Sequence, residues 1–170
     1  MLRWTTFLLL ALAAVMIQHS LLGGARFAPD LPLAMVAWAV VDGTTTGFVA
    51  RAWWVGMLRD ACDPAALIFQ TASNPLGFAL FHTTGYFLVA VAFWPLRGLV
   101  FRRRGLGWAL VAGCASIVLA IADGLIGGFG DATATSILGN AVLTAIAAMA
   151  IGWMAGILPS WLSPVGRDGA

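Results

Sequence analysis

From Gly107 to Gly128 the chain carries one charged side chain, Asp123, and from Ser136 to Leu158 it carries none. Runs of about 20 apolar residues are what an α-helix needs to cross a hydrocarbon core of about 30 Å, since each residue rises about 1.5 Å. That feature constrains the fold more than any other, because water cannot be the main solvent for such segments. The rest of the chain agrees with it. Of 170 residues, 61% are hydrophobic and 9% charged, against about 25% charged in an ordinary soluble domain. The mean hydropathy is +0.95. These values predict a single transmembrane domain over residues 1–170 with no soluble unit of its own. The net charge of +2 is too small to point to nucleic acid.

Six apolar segments are bounded by Pro, Gly, Asp or Arg: 4–23, 27–41, 44–61, 75–96, 107–128 and 136–158. The second and third are separated only by Asp42-Gly43, a strong turn dipeptide, and a re-entrant hairpin is the alternative to two short spans there. Segment 4–23 exceeds the apolar core of a signal peptide and has no clean cleavage site after it, so it reads as the first helix. Arginine is hard to translocate and collects on the cytoplasmic side. With six spans and both termini cytoplasmic, the inner ends hold Arg3, Arg51, Arg97, Arg102, Arg103, Arg104 and Arg167, and the outer ends only Arg26 and Arg59. The expected fold is therefore an all-α integral membrane protein, a compact bundle of six transmembrane helices. The basic loop Arg97, Arg102, Arg103 and Arg104 reads as the signal that sets this orientation, or as a dock for an acidic partner or anionic lipid.

Trp4, Trp94, Trp108 and Trp161 fit a cytoplasmic aromatic belt, while Trp38, Trp53, Trp54 and Trp153 fall inside segments. Gly43/Gly47 and Gly152/Gly156 are small-residue pairs at helical spacing, suited to packing within the chain or between copies. Cys62 and Cys114 are isolated and read as small packing residues rather than as a metal site or a disulfide. Arg51, within the third segment, is expected to snorkel to the cytoplasmic headgroups, or else to pair with Asp42 or with a partner's carboxylate.

An ionisable group in hydrocarbon is costly, so each needs a place and a partner. Under the six-span topology His19, Asp60, His82, Asp123 and Asn140 share the outer half of the bundle, with Gln18 beside His19. They predict a polar outward-facing cavity or partner groove, or a set of simply interfacial side chains. The chain lacks GxSxG, HExxH, a Gly-rich phosphate loop with its Lys, and Cys/His metal spacing. His82 with Asp123 or Asp60 has the makings of an acid/base pair, and Ser116 or Thr84 of a nucleophile, but nothing in the spacing selects them. The expectation is a non-enzymatic protein without cofactor.

Three ordered stretches carry a resemblance: Phe27-Ala-Pro-Asp-Leu-Pro-Leu at the start of the second segment, Val55-Gly56-Met57-Leu58-Arg59-Asp60 at the end of the third, and Asn74-Pro75-Leu76-Gly77 opening the fourth. In order and spacing they resemble the rod shape-determining protein MreD family, over residues 25–95. The stretch from Ala61 to Ser73 is longer than that family's pattern, Arg59 stands where the family tolerates many residues, and the last two segments match only in hydropathy. The resemblance marks Pro29, Asp30, Gly56, Asp60, Pro75, Leu76 and Gly77. Physically, Pro29 pre-sets a first helical turn, Asp30 complements that helix's dipole, and Gly56 and Gly77 allow close approach.

What the resemblance implies is a scaffold of cell-wall elongation in the bacterial inner membrane. Its expected partner is MreC, with RodA, penicillin-binding protein 2 and, indirectly, MreB in the same assembly. The competing expectation is the substrate-binding S component of an energy-coupling-factor vitamin transporter, which the outer polar cluster would suit. An intramembrane enzyme is a third.

Overall fold

A computed structural model of the chain describes residues 2–22, 25, 27–42, 47–62, 81–95, 104–127 and 133–157. Among these residues all regular structure is helical. Helix α1 (Leu2–Ile17) runs on into a π-helical turn (Gln18–Leu22), followed by α2 (Leu31–Asp42), α3 (Phe48–Cys62), α4 (Phe81–Phe93), α5 (Arg104–Gly127) and α6 (Ala134–Ile157). Three stretches, Trp4–Leu22, Gly105–Leu125 and Ala134–Met154, are long and apolar enough to cross a membrane, and Leu31–Val41 and Phe81–Phe93 are apolar but shorter.

Helix α2 is the axis around which the others stand. Every residue from Pro32 to Val40 is buried, and α2 contacts α1, α3, α4, α5 and α6. A helix that is apolar on all sides has no face to offer water, and enclosure by other helices is the arrangement that suits it. Trp38 is 1% exposed, its ring tilted against Phe7 of α1 at 6.3 Å between centroids.

Two antiparallel pairs flank this axis. In the first, α3 lies along α4, with Phe48 stacked on Trp94 at one end, 5.5 Å between centroids, and Asp60 bonded to His82 and Thr83 at the other. Gly56 makes that approach possible, because a Cβ there would lie 2.5 Å from Thr83 Cα. In the second pair α5 lies along α6, and a Cβ on Gly152 would strike the Trp108 ring at 2.2 Å. Helix α6 begins at Ala134 because Thr133 and Ser136 cap each other's amides reciprocally, at 3.0 and 3.2 Å. The outward faces are apolar, with Leu9 and Met16 on α1, Leu88 on α4, Leu125 on α5 and Trp153 on α6 all well exposed.

Several expectations change. Helix α2 starts at Leu31 rather than 27, because side chains from other helices hold residues 28–31 by their amides. Pro29 therefore precedes the helix, and Pro32 sits in the first turn. Helix α3 starts at Phe48, not 44. Arg51 does not snorkel. It is 4% exposed, its guanidinium over the rings of Trp4 at 4.9 Å and Phe7 at 5.5 Å, where aromatic faces offset part of its desolvation. Trp108 is covered by α6 rather than standing in a belt, and Gly152 packs within the chain. Both cysteines are free, with Cys114 exposed on the outward face of α5 instead of packed. Pro75, Leu76, Gly77, Arg97, Arg102, Arg103, Arg26, Arg167, Gly43 and Trp161 lie outside the described residues.

Candidate functional site: a polar network and cavity at one end of the bundle

At one end of the bundle α1, α3 and α5 finish and α2, α4 and α6 begin, so the polar side chains of six elements converge. The first task of this region is to satisfy backbone amides. Residues 28–30 are not helical, and non-helical backbone within a membrane bundle is tolerated only where its polar groups find partners. Ala28 N–H donates to Asn140 Oδ1 at 3.0 Å, Asp30 N–H to Thr144 Oγ1 at 2.8 Å, and Leu31 N–H to Gln18 Oε1 at 3.1 Å. Asp30 then caps α2, its Oδ1 accepting from Leu33 N–H at 3.0 Å. The Thr144 hydroxyl in turn donates to Asn140 O at 2.7 Å.

Asp30 also anchors a second layer. Arg59, near the end of α3, donates through Nη1 to Asp30 Oδ2 and to the Tyr86 hydroxyl oxygen. The Tyr86 O–H reaches Asp30 Oδ1 at 3.0 Å and Oδ2 at 3.2 Å. Tyr86 is fully buried, and its ring also lies 5.8 Å from the guanidinium carbon of Arg59. A carboxylate, a guanidinium and a phenol thus join the start of α2 to α3 and α4. An ion pair taken from water holds together only with such added hydrogen bonds.

Asp60, the next residue, faces the other way and caps α4. Its Oδ1 accepts from His82 N–H at 3.1 Å and meets His82 Nδ1 at 2.8 Å. Its Oδ2 accepts from Thr83 N–H at 2.8 Å and the Thr83 hydroxyl at 2.7 Å. First-turn amides have no partner inside their own helix, and a carboxylate from a neighbouring helix answers both that need and the helix dipole. With Nδ1 committed to Asp60, Nε2 is the ring position of His82 left without a partner among the described residues.

Above this network lies a cavity of about 550 Å³. Gln18, Asp30, Arg59, His82, Ser116, Asp123, Ser136 and Asn140 line it, among apolar residues that include Leu22, Phe81 and Leu119. Of the five residues expected to share an outer cavity, His82, Asp123 and Asn140 do line it, with Gln18 among them. His19 and Asp60 do not. Asp60 is 6% exposed and spent on α4, and His19 keeps its Nε2 buried with no hydrogen-bond partner among the described residues. Of the residues marked by the resemblance, Asp30 and Asp60 belong to the network and Gly56 sets the helix contact beneath it. Among the described residues no group of three His, Cys or Asp side chains is placed to hold a metal ion.

Tyr86, Thr83 and Thr144 were not expected at this site. Each lies inside an apolar segment with no local pattern to single it out, although Tyr86 is the one tyrosine in the chain. Arg59 was expected only as an outer-end charge. No protein-family profile, curated protein or solved structure matches the chain.

Proposed function

We propose that the protein is a six-span scaffold of bacterial cell-wall elongation in the inner membrane, with both termini cytoplasmic, of the kind the MreD resemblance implies. The observation that supports this reading is the convergence of the residues that carry the resemblance. Asp30, Gly56 and Asp60 come from two separate stretches, and all three stand where α2, α3 and α4 are fastened together, Asp30 through Arg59 and Tyr86, Asp60 through His82 and Thr83, and Gly56 by its close approach to Thr83. Side chains spent on joining helices suit a protein whose task is to present a fixed membrane surface. The exposed apolar faces of α1, α4, α5 and α6 supply surface for lipid and for partner helices. MreC is the direct partner in this reading, with RodA and penicillin-binding protein 2 in the same assembly and MreB reached indirectly.

The cavity favours a second reading, the substrate-binding S component of a vitamin transporter, because about 550 Å³ falls in the usual range of small-molecule sites, about 300–1,000 Å³. Affinity purification of the tagged full chain from its own membranes separates the two. Recovery of MreC, RodA or penicillin-binding protein 2 is the expected result. Recovery instead of an ATPase module with a bound vitamin would overturn the scaffold reading. Labelling of single cysteines near each helix end from either side of the membrane tests the six-span topology, with the Thr133 end reacting from outside.

A further inference from the structure

The network and the cavity divide the charges at this end of the bundle unequally. Asp30 is matched by Arg59 and Asp60 by His82. Asp123 lines the cavity from α5 with neither an ion pair nor a hydrogen bond among the described residues, and so does Ser116 two helical turns below it. The donors facing the same space are also only partly used. Among the described residues Arg59 engages Nη1 alone, and Gln18 and Asn140 use their carbonyl oxygens and keep their N–H2 groups. The α5 wall therefore carries an unmatched carboxylate, and the other helices around the cavity carry spare donors.

We infer that this cavity binds a zwitterion with a primary ammonium and, a short arm away, a phosphate or carboxylate. The ammonium donates to Asp123, and the anionic end accepts from Arg59, Gln18 and Asn140. Charge-assisted hydrogen bonds to an ionised partner are the strong ones, and a trimethylammonium has no N–H to donate, so the site discriminates against methylated amines. Two sources offer this chemistry: the head group of phosphatidylethanolamine, entering from the bilayer, and a soluble amino acid or phosphoethanolamine. The inference stands apart from the scaffold reading, since it needs only the cavity and its side chains.

The test titrates the purified full chain in detergent with phosphatidylethanolamine or phosphatidylcholine of the same acyl chains, counting bound lipid by native mass spectrometry. A parallel arm measures the thermal unfolding midpoint with soluble phosphoethanolamine, glycine, phosphocholine or glycine betaine. One amine ligand per chain is expected, preferred at least about tenfold over its trimethylated counterpart, with the preference lost in Asp123→Asn. Binding of the lipid alone assigns the head-group source, and binding of the soluble amines assigns the free one. Equal binding of amine and trimethylated forms in both arms by the unmodified protein would overturn the inference without recourse to any variant. So would an Asp123→Asn protein that unfolds at the same temperature without ligand and keeps the preference.

Discussion

Arg59 of α3 and Asp30, the cap of α2, form an ion pair across twenty-nine residues of sequence. Arg59 alone looked like a charge at a helix end, and Asp30 alone like a dipole complement. Together, with Tyr86 between them, they fix where the enclosed helix α2 begins relative to α3 and α4. The pair is nearly but not wholly removed from solvent, with side-chain exposures of 18% and 20%.

Removing one partner leaves the other as an uncompensated charge. Breaking a fully buried pair costs about 3–5 kcal/mol, and the residual exposure places Asp30→Ala and Arg59→Met nearer about 2–3 kcal/mol. Asp30→Ala also forfeits the cap, so it is the more harmful of the two. Denaturation in detergent of both single variants and the double variant checks this. The double variant should cost less than the sum of the singles, because each single already includes the penalty of the stranded charge. Additive costs would show that the two residues act separately.

Asp60 accepts four hydrogen bonds from His82 and Thr83, and graded substitution should reveal which of them matter. Asp60→Ala strands two amides and a hydroxyl and should destabilise by about 2–4 kcal/mol, drawing on the cost of about 1–3 kcal/mol for a buried polar group left unpaired. Asp60→Asn keeps one accepting oxygen and should cost roughly half as much. Thr83→Val, which removes only the hydroxyl, should cost about 1 kcal/mol. Equal effects of Asn and Ala at position 60 would mean the carboxylate's charge, not its accepting geometry, is what α4 requires.

The described helices were legible in the sequence because their signal is local: long apolar runs, with a break at Asp42-Gly43. The network was not, because its partners are far apart in sequence and its members lie among apolar neighbours. Tyr86 meets Asp30 across 56 positions and Thr144 meets Asp30 across 114, and no periodicity within 75–96 or 136–158 marks either. The polar residues that did stand out, Gln18 and Asn140, were expected only to face a cavity. They face it, and they also satisfy the backbone of residues 28–31, a need invisible while that stretch was read as helix from residue 27. Arg51 misled for a similar reason. Snorkelling is the default for an arginine near a helix end, and only the fold shows Trp4 and Phe7 of α1 lying over it.

Glycine substitutions should separate rigid contacts from yielding ones. A Cβ on Gly56 meets backbone atoms of Thr83, and one on Gly152 meets the covered ring of Trp108, whereas one on Gly85 meets the end of the Leu119 side chain at 2.6 Å. A side-chain end can rotate away, while a helix backbone or an enclosed indole cannot. Gly56→Ala and Gly152→Ala should each lose about 1–3 kcal/mol, the range for overpacking a close contact. Gly85→Ala should fall within about 0.5 kcal/mol of the parent protein, its lost packing offset by higher helix propensity. Thermal midpoints of the three variants in one detergent supply the comparison, and a Gly85 variant as damaged as Gly56 would mean that Leu119 is locked in place.

The amides of residues 28 and 30 give the most local test of the architecture. Asn140→Ala removes the acceptor of Ala28 N–H, and Thr144→Val removes the acceptor of Asp30 N–H while keeping the shape of the side chain. Each leaves a donor unpaired in a place where water is scarce, at a cost of about 1–3 kcal/mol. The loss should be confined in space: hydrogen exchange in the segment around Ala28 should quicken in Asn140→Ala, and around Asp30 in Thr144→Val, with the middle of α5 unchanged. Because Asn140 also lines the cavity and Thr144 does not, the pair of variants distinguishes two roles. An Asn140 variant that weakens ligand binding while Thr144→Val, equally destabilised, does not would assign Asn140 to the cavity as well as to the backbone. Unchanged exchange in both variants would mean that the start of α2 is held by Asp30 and Arg59 alone.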